Sequence, residues 1–167
     1  MGVDGGLSDP GLRQAEATAR FLAGFPLAAV YSSPLRRARE TAERIAAEHK
    51  LEVASVPELV EVHVGRWEGR DWDDIRTNDA DHYARFLLDP GVHGYPGGET
   101  LAEVQQRVTP ALTKLFERHR GEEFAVVAHN VVNRSFLAGV LQLPLAVIRT
   151  LVQDNCAVNV LQFDAEE

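Results

Sequence analysis

The 167-residue sequence has little cysteine, no long apolar run and no excess of basic residues. Its single cysteine, Cys156, excludes an internal disulfide and a cysteine-rich zinc site. No apolar run approaches the length of a membrane span, and the first residues have neither the basic nor the apolar part of a signal peptide. These absences predict a cytoplasmic protein with no membrane partner.

Acidic residues outnumber basic ones by 25 to 17, which gives a formal net charge of −8. Proteins that bind nucleic acid normally present a basic face, so this balance argues against nucleic acid as a partner. It also argues against long-range attraction of an anionic ligand. If the ligand is an anion, a local cluster of basic side chains must attract it.

The spacing of apolar residues predicts helices that alternate with short strands. Because no repeat or long linker divides the chain, we expect one domain over residues 1–167. This alternation is typical of a three-layer α/β/α fold with a mainly parallel central sheet. The helices are expected to begin near Ser8, Ser33, Thr100 and Val131, and the strands to cover residues 27–32, 51–56, 124–128 and 157–163.

Residues 57–98 have no sustained period apart from a possible helix over residues 72–88. Long irregular segments in compact domains usually carry function, so we expect this segment to determine substrate specificity. Further on, Thr100 and Glu103 form a capping box at the start of a helix. Pro110 is expected to kink that helix or to break it.

Three arginines, Arg36, Arg37 and Arg39, crowd the first turns of the second predicted helix. The helix dipole disfavours cations there, and the three charges repel one another, so a bound anion would convert both effects into attraction. The alternative is a solvated face on which arginines pair with Glu40 and Glu43 at helical spacing. We favour this alternative for Arg36 and Arg39, and anion binding for Arg37.

Two further candidates lie at a strand end and in the irregular segment. His129 ends a continuous apolar strand just before a helix, where ligands of parallel sheets bind, although a buried histidine can also be a core residue. Glu61 is flanked by apolar residues that would raise its pKa and keep it available as a proton donor. Its alternative is an edge-strand carboxylate that faces water. Ser33, His63 and Trp67 are candidates for the wall of a substrate pocket.

Five segments in order along the chain resemble motifs of the histidine phosphatase superfamily, the phosphoglycerate-mutase-like proteins. Any one of them alone would carry little weight, but all five occur in the family's order. They are LSDPGLRQA at residues 7–15, SSPLRRARETA at 32–42, LVEVHVGRWEG at 59–69, PGGETLAEVQQRV at 96–108 and VVAHNVVNR at 126–134.

The resemblance implies hydrolysis of a phosphorylated small molecule through a phosphohistidine intermediate. By motif position, Arg37 corresponds to a phosphate-binding arginine, Glu61 to the acid that protonates the leaving oxygen, and His129 to a second histidine that holds the phosphate. Asn130 replaces the family's usual glycine, and its backbone amide could still meet phosphate. Metal and cofactor are not part of this chemistry, which agrees with the lack of HxH or HExxH spacing.

One departure from the family is central. The family's nucleophilic histidine lies in an Arg-His-Gly motif on its first strand, and this sequence contains no such motif. We therefore expect the first strand and nucleophile to be missing, turnover to be impaired, and unpaired strand edges to remain.

Several functions stay open at this point. We favour a phosphatase over a phosphoglycerate mutase-type phosphotransferase because residues 57–98 hold few basic residues for a second phosphate. A non-catalytic phosphate-binding or interaction module also agrees with the sequence, and so does a homo-oligomer formed through an open sheet edge.

Overall fold

The computed structural model describes residues 5–163. These residues form two compact units. The sheet unit comprises residues 5–60, Pro110–Asn130 and residues 153–163. The aromatic unit comprises Glu61–Thr109 and Val131–Val152. This division does not test the prediction of one domain over residues 1–167, which stays a prediction.

The sheet unit contains three parallel strands in the order β2-β1-β3, flanked by helices. Its elements are α1 (Asp9–Leu22), β1 (Leu27–Ser32), α2 (Arg36–His49), β2 (Val53–Ser55) and β3 (Glu123–Val127). In the central strand, Ser32 lies opposite Ser55 of β2 and Val127 of β3. The carboxyl ends of all three strands therefore lie at one edge, and the predicted parallel α/β fold is confirmed.

Local sequence explains how these elements begin and pack. The Ser8 hydroxyl accepts a hydrogen bond from the Gly11 amide and so caps α1, which begins where the sequence predicted a helix. Val30 of β1 packs with Ala42 and Ile45 of α2, and all three are almost completely buried. The core of this unit is thus built from the apolar stripes that predicted the helices.

The aromatic unit has no strand among its described residues and is built from helices and loops. Its helices are α3 (Trp72–Asn78), α4 (Ala80–Leu88), the first half of α5 (Leu101–Arg118), most of α6 (Asn130–Val140), and short 3₁₀ turns at Gly65–Trp67 and Leu145–Thr150. Buried Trp67, Ile75 and Phe86 form one cluster, against which Tyr83 and Tyr95 pack. The single possible helix over residues 72–88 is therefore two helices.

Of the two outcomes expected at Pro110, the break is wrong, because α5 is one helix that contains this proline. The kink stays a prediction. The capping box fixes its start: the Glu103 amide donates to the Thr100 hydroxyl at 3.1 Å, and the Thr100 amide donates to the Glu103 carboxylate at 2.7 Å. Apolar residues at helical spacing are buried on both sides of Pro110, among them Val108 and Leu112. Their burial offsets the backbone hydrogen bond that proline removes.

The predicted strand over residues 157–163 is also wrong, because this segment is irregular in the structure. Val160 is 76% exposed, so the apolar alternation there buries no face. The chain turns just before it: Cys156 has φ of +60°, and the Ala157 amide donates to the Asp154 carbonyl oxygen. Within the described residues β3 pairs only with β1, which leaves its other edge without a partner strand.

Candidate phosphate site and proton donor

Register in the sheet brings two of the candidate residues together. Ser33 and His129 follow β1 and β3, whose last residues lie opposite each other. The Ser33 amide continues the ladder by donating to the Val127 carbonyl oxygen at 2.9 Å. The Ser33 hydroxyl oxygen lies 2.7 Å from Nε2 of His129, and both residues are buried. The two polar side chains therefore lie at the carboxyl ends of adjacent strands.

The hydrogen bonds of Ser33 determine whether Nε2 of His129 accepts or donates a proton in its bond to the Ser33 hydroxyl. The Ser33 hydroxyl oxygen accepts a hydrogen bond from the Leu35 amide at 3.3 Å. Its own proton can therefore be donated to Nε2 of a neutral imidazole, whereas a protonated imidazole donates to the hydroxyl oxygen instead. The Ser33 hydroxyl can therefore keep its hydrogen bond to His129 whether the imidazole is neutral or protonated.

The arginine cluster divides as its spacing predicts. Nε of Arg36 lies 2.7 Å from the Glu40 carboxylate, and Nε of Arg39 lies 2.9 Å from that of Glu43. The predicted helical pairs are confirmed for both. The half-buried Arg37 side chain, in contrast, makes no hydrogen bond or ion pair with any residue in the range 5–163.

The start of α2 adds a second anion-binding feature beside Arg37. Its N-cap residue, Leu35, has no side chain that can cap the helix amides. The first turn contains no acidic residue that would offset the positive end of the helix dipole. A partner-free guanidinium on an uncapped helix start is a suitable environment for phosphate oxygens.

Glu40, the acidic residue nearest to Arg37 in sequence, is paired with Arg36 and not with Arg37. The amide of Leu7 and the guanidinium of Arg36 both donate to Glu40, and these two bonds, in that order, hold the pKa of Glu40 below its usual value. Glu40 therefore stays ionised and neutralises Arg36. Within residues 5–163, no carboxylate forms an ion pair with Arg37.

Asn130 is the first residue of α6 and directly follows His129. Its side-chain amide donates to the Gln153 carbonyl oxygen at 2.9 Å, so the side chain has a structural partner. Binding of phosphate by its backbone amide stays a prediction.

Glu61 belongs to the aromatic unit and lies in a segment without regular structure. Because no strand forms there, the alternative of an edge-strand carboxylate is wrong. The carboxylate is half-buried, and its Oε1 accepts a hydrogen bond from the Val62 amide at 2.9 Å. The role of Glu61 as a proton donor stays a prediction.

The loop that contains Glu61 (residues 61–64, the Glu61 loop) is held in place by the PGGET segment (residues 96–100). The contacts between the two are called the brace. The Glu99 carboxylate accepts the His63 amide, and the Glu99 amide donates to the His63 carbonyl oxygen, both at 2.8 Å. Arg107 binds the same carboxylate at 2.8 and 3.2 Å. Burial raises the pKa of Glu99, but the bonds from Arg107 and His63 outweigh this effect and leave the pKa below its usual value.

Glycine is required where the two segments meet. Gly65 has φ of +56°, and a Cβ there would collide with the Pro96 carbonyl oxygen. A Cβ on Gly98 would collide with the carbonyl oxygen of His63. The glycines that matched the family motifs thus allow the backbone contact that holds the Glu61 loop.

The remaining pocket candidates are placed as follows. His63 is exposed, and its backbone forms the brace. Trp67 is only 3% exposed; its Nε1 donates to the Asp79 carboxylate at 2.8 Å, and its ring packs on Phe86 and Tyr95. Trp67 therefore has a packing role, and its place in a substrate pocket stays a prediction.

Two contacts of this site were not predicted from the sequence, although the sequence contains a signal for each. The bond between Ser33 and His129 follows from sheet register, which pairs the ends of β1 and β3. The brace follows from the paired glycines of the two loop motifs.

Within residues 5–163, no group of three or more metal-ligating side chains could hold an ion. No helix in the same range is long and apolar enough to cross a lipid bilayer.

Comparison with known proteins agrees with this geometry. The family model of the histidine phosphatase superfamily (branch 1) matches residues 2–167. Phosphoserine phosphatase 1 of Hydrogenobacter thermophilus is 30% identical over 97% of this chain and 77% of its own length. A metal-independent phosphoserine phosphatase of Arabidopsis thaliana is 34% identical over 84% of this chain and 60% of its own length.

A solved structure extends the likeness to the fold. Mycobacterial glucosyl-3-phosphoglycerate phosphatase superposes with a TM-score of 0.79 at 28% identity, and the match covers 90% of this chain and 74% of that one. With the sequence motifs, the parallel sheet and the family match in agreement, the chain belongs to the histidine phosphatase superfamily, branch 1.

Proposed function

We propose that the protein is a phosphomonoester hydrolase of the histidine phosphatase type that acts on a phosphorylated small molecule. The observation that carries this proposal is the arginine cluster: Arg36 and Arg39 are paired, whereas Arg37 has no partner in the part of the chain that the structure describes. Relatives named as phosphatases support hydrolysis over a mutase reaction.

Arg37 and His129 hold the phosphoryl group in this proposal. The Arg37 guanidinium and the uncapped amides of α2 neutralise phosphate oxygens. His129 binds a further oxygen, and its contact with Ser33 keeps the imidazole oriented. The Asn130 amide, at the start of α6, binds phosphate as well.

Glu61 donates a proton to the leaving oxygen. An alkoxide is a poor leaving group, so the P–O bond breaks more readily when the oxygen takes up a proton as the bond lengthens. The match of residues 59–69 to the family motif supports this role. The carboxylate is also half-buried, as a group that meets a bound substrate would be.

The nucleophile is the part that these residues do not supply. The family reaction requires a histidine in an Arg-His-Gly motif, and the 167 residues contain no such motif. We therefore expect this chain by itself to bind phosphate with little turnover. The same fact favours a second candidate, a phosphate-binding module without catalytic activity.

Added imidazole distinguishes the two candidates. In the hydrolase, free imidazole attacks phosphorus, the ester oxygen leaves with the proton of Glu61, and water then hydrolyses the phosphoimidazole. Phenyl phosphate is the suitable substrate because its leaving group has a pKa of about 10 and needs that proton. The weakly basic leaving group of p-nitrophenyl phosphate needs it much less.

We expect imidazole to raise the turnover of phenyl phosphate, and Glu61→Gln to remove most of this increase while p-nitrophenyl phosphate is affected less. Glu58→Gln, an exposed carboxylate in the preceding turn, is the matched control. Orthophosphate should raise the melting temperature in every variant. Phosphate protection without imidazole-dependent turnover would favour the binding module, and loss of both would contradict both candidates.

A further inference from the structure

Three side chains of the aromatic unit have hydrogen-bond donors that no described residue accepts. Nε of Arg134 is buried without a partner, and its guanidinium forms no ion pair within residues 5–163. The Arg149 guanidinium makes one long hydrogen bond, of 3.5 Å, to the Phe86 carbonyl oxygen and no ion pair in the same range. The Tyr95 hydroxyl has no partner among these residues either.

Two aromatic contacts place Arg149 beside Tyr95. The Arg149 guanidinium lies over the Phe86 ring, 4.9 Å from its centroid. The Phe86 and Tyr95 ring centroids are 4.7 Å apart. Ile148, the neighbour of Arg149, belongs to a buried cluster against which Tyr95 packs. Arg149 and Tyr95 therefore border the same cluster.

Helical spacing places Arg134 at this cluster as well. Ala138 of α6 belongs to the cluster, and Val131 packs against it. Arg134 lies three residues after Val131 and four residues before Ala138, so all three share one face of the helix. Arg134 thus approaches the cluster of Tyr95 from α6.

The electrostatics of Tyr95 confirm that these groups are neighbours. Burial, followed by the negative charge of Glu61, raises the pKa of Tyr95 to about 12, although Arg149 and Arg134 act in the opposite direction. Both guanidinium groups therefore lie within electrostatic range of the hydroxyl, and so does the Glu61 carboxylate. The phenol keeps its proton at neutral pH and is available as a hydrogen-bond donor.

Other arginines of the same unit have the partners that Arg134 and Arg149 lack. Arg70 pairs with Asp74 at 2.6 Å, and Arg107 pairs with Glu99 at 2.8 Å. A buried guanidinium N–H without an acceptor is unfavourable, and native structures rarely keep one without a reason. Two unpaired cations beside a phenol therefore indicate a place for an anion.

We infer that Tyr95, Arg134 and Arg149 form an anion site for a sulfate group, bound either as inorganic sulfate or as a sulfate monoester. All three residues belong to the aromatic unit, so the ligand does not have to reach the sheet unit. The site uses none of the residues proposed to hold phosphate, and the inference does not depend on the proposed function.

The donors of the site determine which anion it prefers. Guanidinium groups donate hydrogen bonds and cannot accept them, and each has more donors than one carboxylate oxygen can satisfy. A sulfate group offers more oxygens than a carboxylate and carries no proton at neutral pH. Hydrogen phosphate has the charge and shape of sulfate, but its hydroxyl would face other donors and lose a hydrogen bond. We therefore expect sulfate to bind about fivefold more tightly than orthophosphate at this site.

Calorimetric titration with sulfate tests the site, at constant ionic strength with chloride as the balancing anion. The Arg37→Gln protein is used, so that the proposed phosphate site contributes little. Arg134→Met and Arg149→Met, each added to it, should weaken sulfate binding about tenfold, because charge-assisted hydrogen bonds are the strong ones. Arg76→Met removes an exposed arginine of the same unit that pairs with Asp73, and it should leave the affinity unchanged.

A substitution of Glu61 should have the opposite sign. Its carboxylate acts on the Tyr95 hydroxyl, so its negative charge opposes an anion bound there. Glu61→Gln should therefore tighten sulfate binding about threefold. Glu58→Gln, which removes an exposed carboxylate of the sheet unit, should not change it. Weaker binding in Glu61→Gln would contradict the placement of the anion beside Tyr95.

Matched ligands test the sulfate group itself. Methyl sulfate and acetate carry the same charge, and methyl sulfate should bind more tightly because it has more oxygens for the donors. Inorganic sulfate and methyl sulfate distinguish the two sources of the group, and both should lose affinity in Arg134→Met. Tighter binding of acetate, or of orthophosphate, in the Arg37→Gln protein would overturn the assignment.

The remaining outcomes are equally decisive. If Arg134→Met fails to fold, Tyr95→Phe tests the same site with a smaller expected loss of about threefold. Sulfate affinity that is unchanged in Arg134→Met and Arg149→Met would overturn the inference. Complete loss of sulfate binding in Arg37→Gln alone would overturn it too, since the aromatic unit would then have no anion site of its own.

Discussion

The proposed phosphate-binding residues of the sheet unit and the Glu61 loop of the aromatic unit are positioned by different structural features. Ser33 and His129 follow strands whose register is fixed by a parallel ladder. Glu61 lies in a loop that is held by the Glu99 carboxylate and by the close approach of Gly65 to the PGGET segment. A backbone ladder tolerates many side chains, whereas the loop depends on a few particular residues.

This difference predicts where substitutions act. In the sheet unit, changes at the candidate residues should alter ligand affinity and leave the fold intact. In the aromatic unit, changes in the brace should alter stability first, because the loop has no ladder to hold it. The following experiments test this contrast.

The largest effect is expected at the glycines that follow the Glu61 loop. Gly65 and Gly69 both have positive φ, of +56° and +71°, but only Gly65 is crowded by the PGGET segment. Gly69→Ala should lower the free energy of unfolding by about 1 kcal/mol, the cost of a left-handed alanine. Gly65→Ala should lower it by about 3 kcal/mol, because the clash with backbone atoms adds to that strain.

Chemical denaturation of the two variants measures this difference. If both alanines destabilise equally, the close contact with the Pro96 carbonyl oxygen is not what holds the loop. A larger effect in Gly69→Ala would contradict the brace outright.

A smaller effect is expected at alkaline pH from Tyr95. Its pKa is raised to about 12 in the folded protein, above the usual value near 10, so the unfolded chain loses this proton first as pH rises. The free energy of unfolding contributed by Tyr95 is therefore complete below pH 10 and is lost between about pH 10 and 12. The expected loss is about 2–3 kcal/mol, since the pKa is raised by about two units and one unit corresponds to about 1.4 kcal/mol.

Tyr95→Phe removes this titration and leaves the ring contacts with Phe86 and Trp67 in place. Denaturation curves at several pH values should show the wild type losing stability more steeply than Tyr95→Phe above pH 10. Parallel curves would show that the Tyr95 hydroxyl is not held in its protonated form by the fold.

In the sheet unit, Ser33→Ala should affect binding more than stability. The substitution removes the contact that orients His129, and one hydrogen bond contributes about 1 kcal/mol. Orthophosphate affinity should therefore fall about fivefold. Ser55→Ala, at the exposed end of β2, is the matched control and should leave affinity unchanged. Equal affinities for both variants would contradict a role for the bond between Ser33 and His129.

Regular elements were predictable because local pattern and tertiary packing agree there. The bounds of β1 and the separation of Arg37 from its paired neighbours follow from period and charge spacing alone. Residues 157–163 alternate as a strand should, but they pair with none of the three described strands, and the local pattern could not reveal this. Pro110 shows the converse, since burial on both sides keeps a helix that propensity would end.

The candidate site was predictable in part for the same reason. His129 and Arg37 could be placed because strand ends and helix starts are visible in sequence. The bond from His129 to Ser33 joins residues that are 96 positions apart, and it depends on register between β1 and β3. The brace by Glu99 joins two loops, and no local periodicity encodes such a contact.

Titration calorimetry with orthophosphate tests the central claim, that Arg37 is the partner-free cation of a phosphate site. The wild type should bind, and Arg37→Gln should weaken binding by ten- to a hundredfold, because charge-assisted bonds contribute about 1.5–3 kcal/mol. Arg39→Gln, which removes a neighbouring charge that is paired with Glu43, should change affinity less than twofold at physiological salt. Equal losses in the two variants, or no loss in Arg37→Gln, would contradict the account.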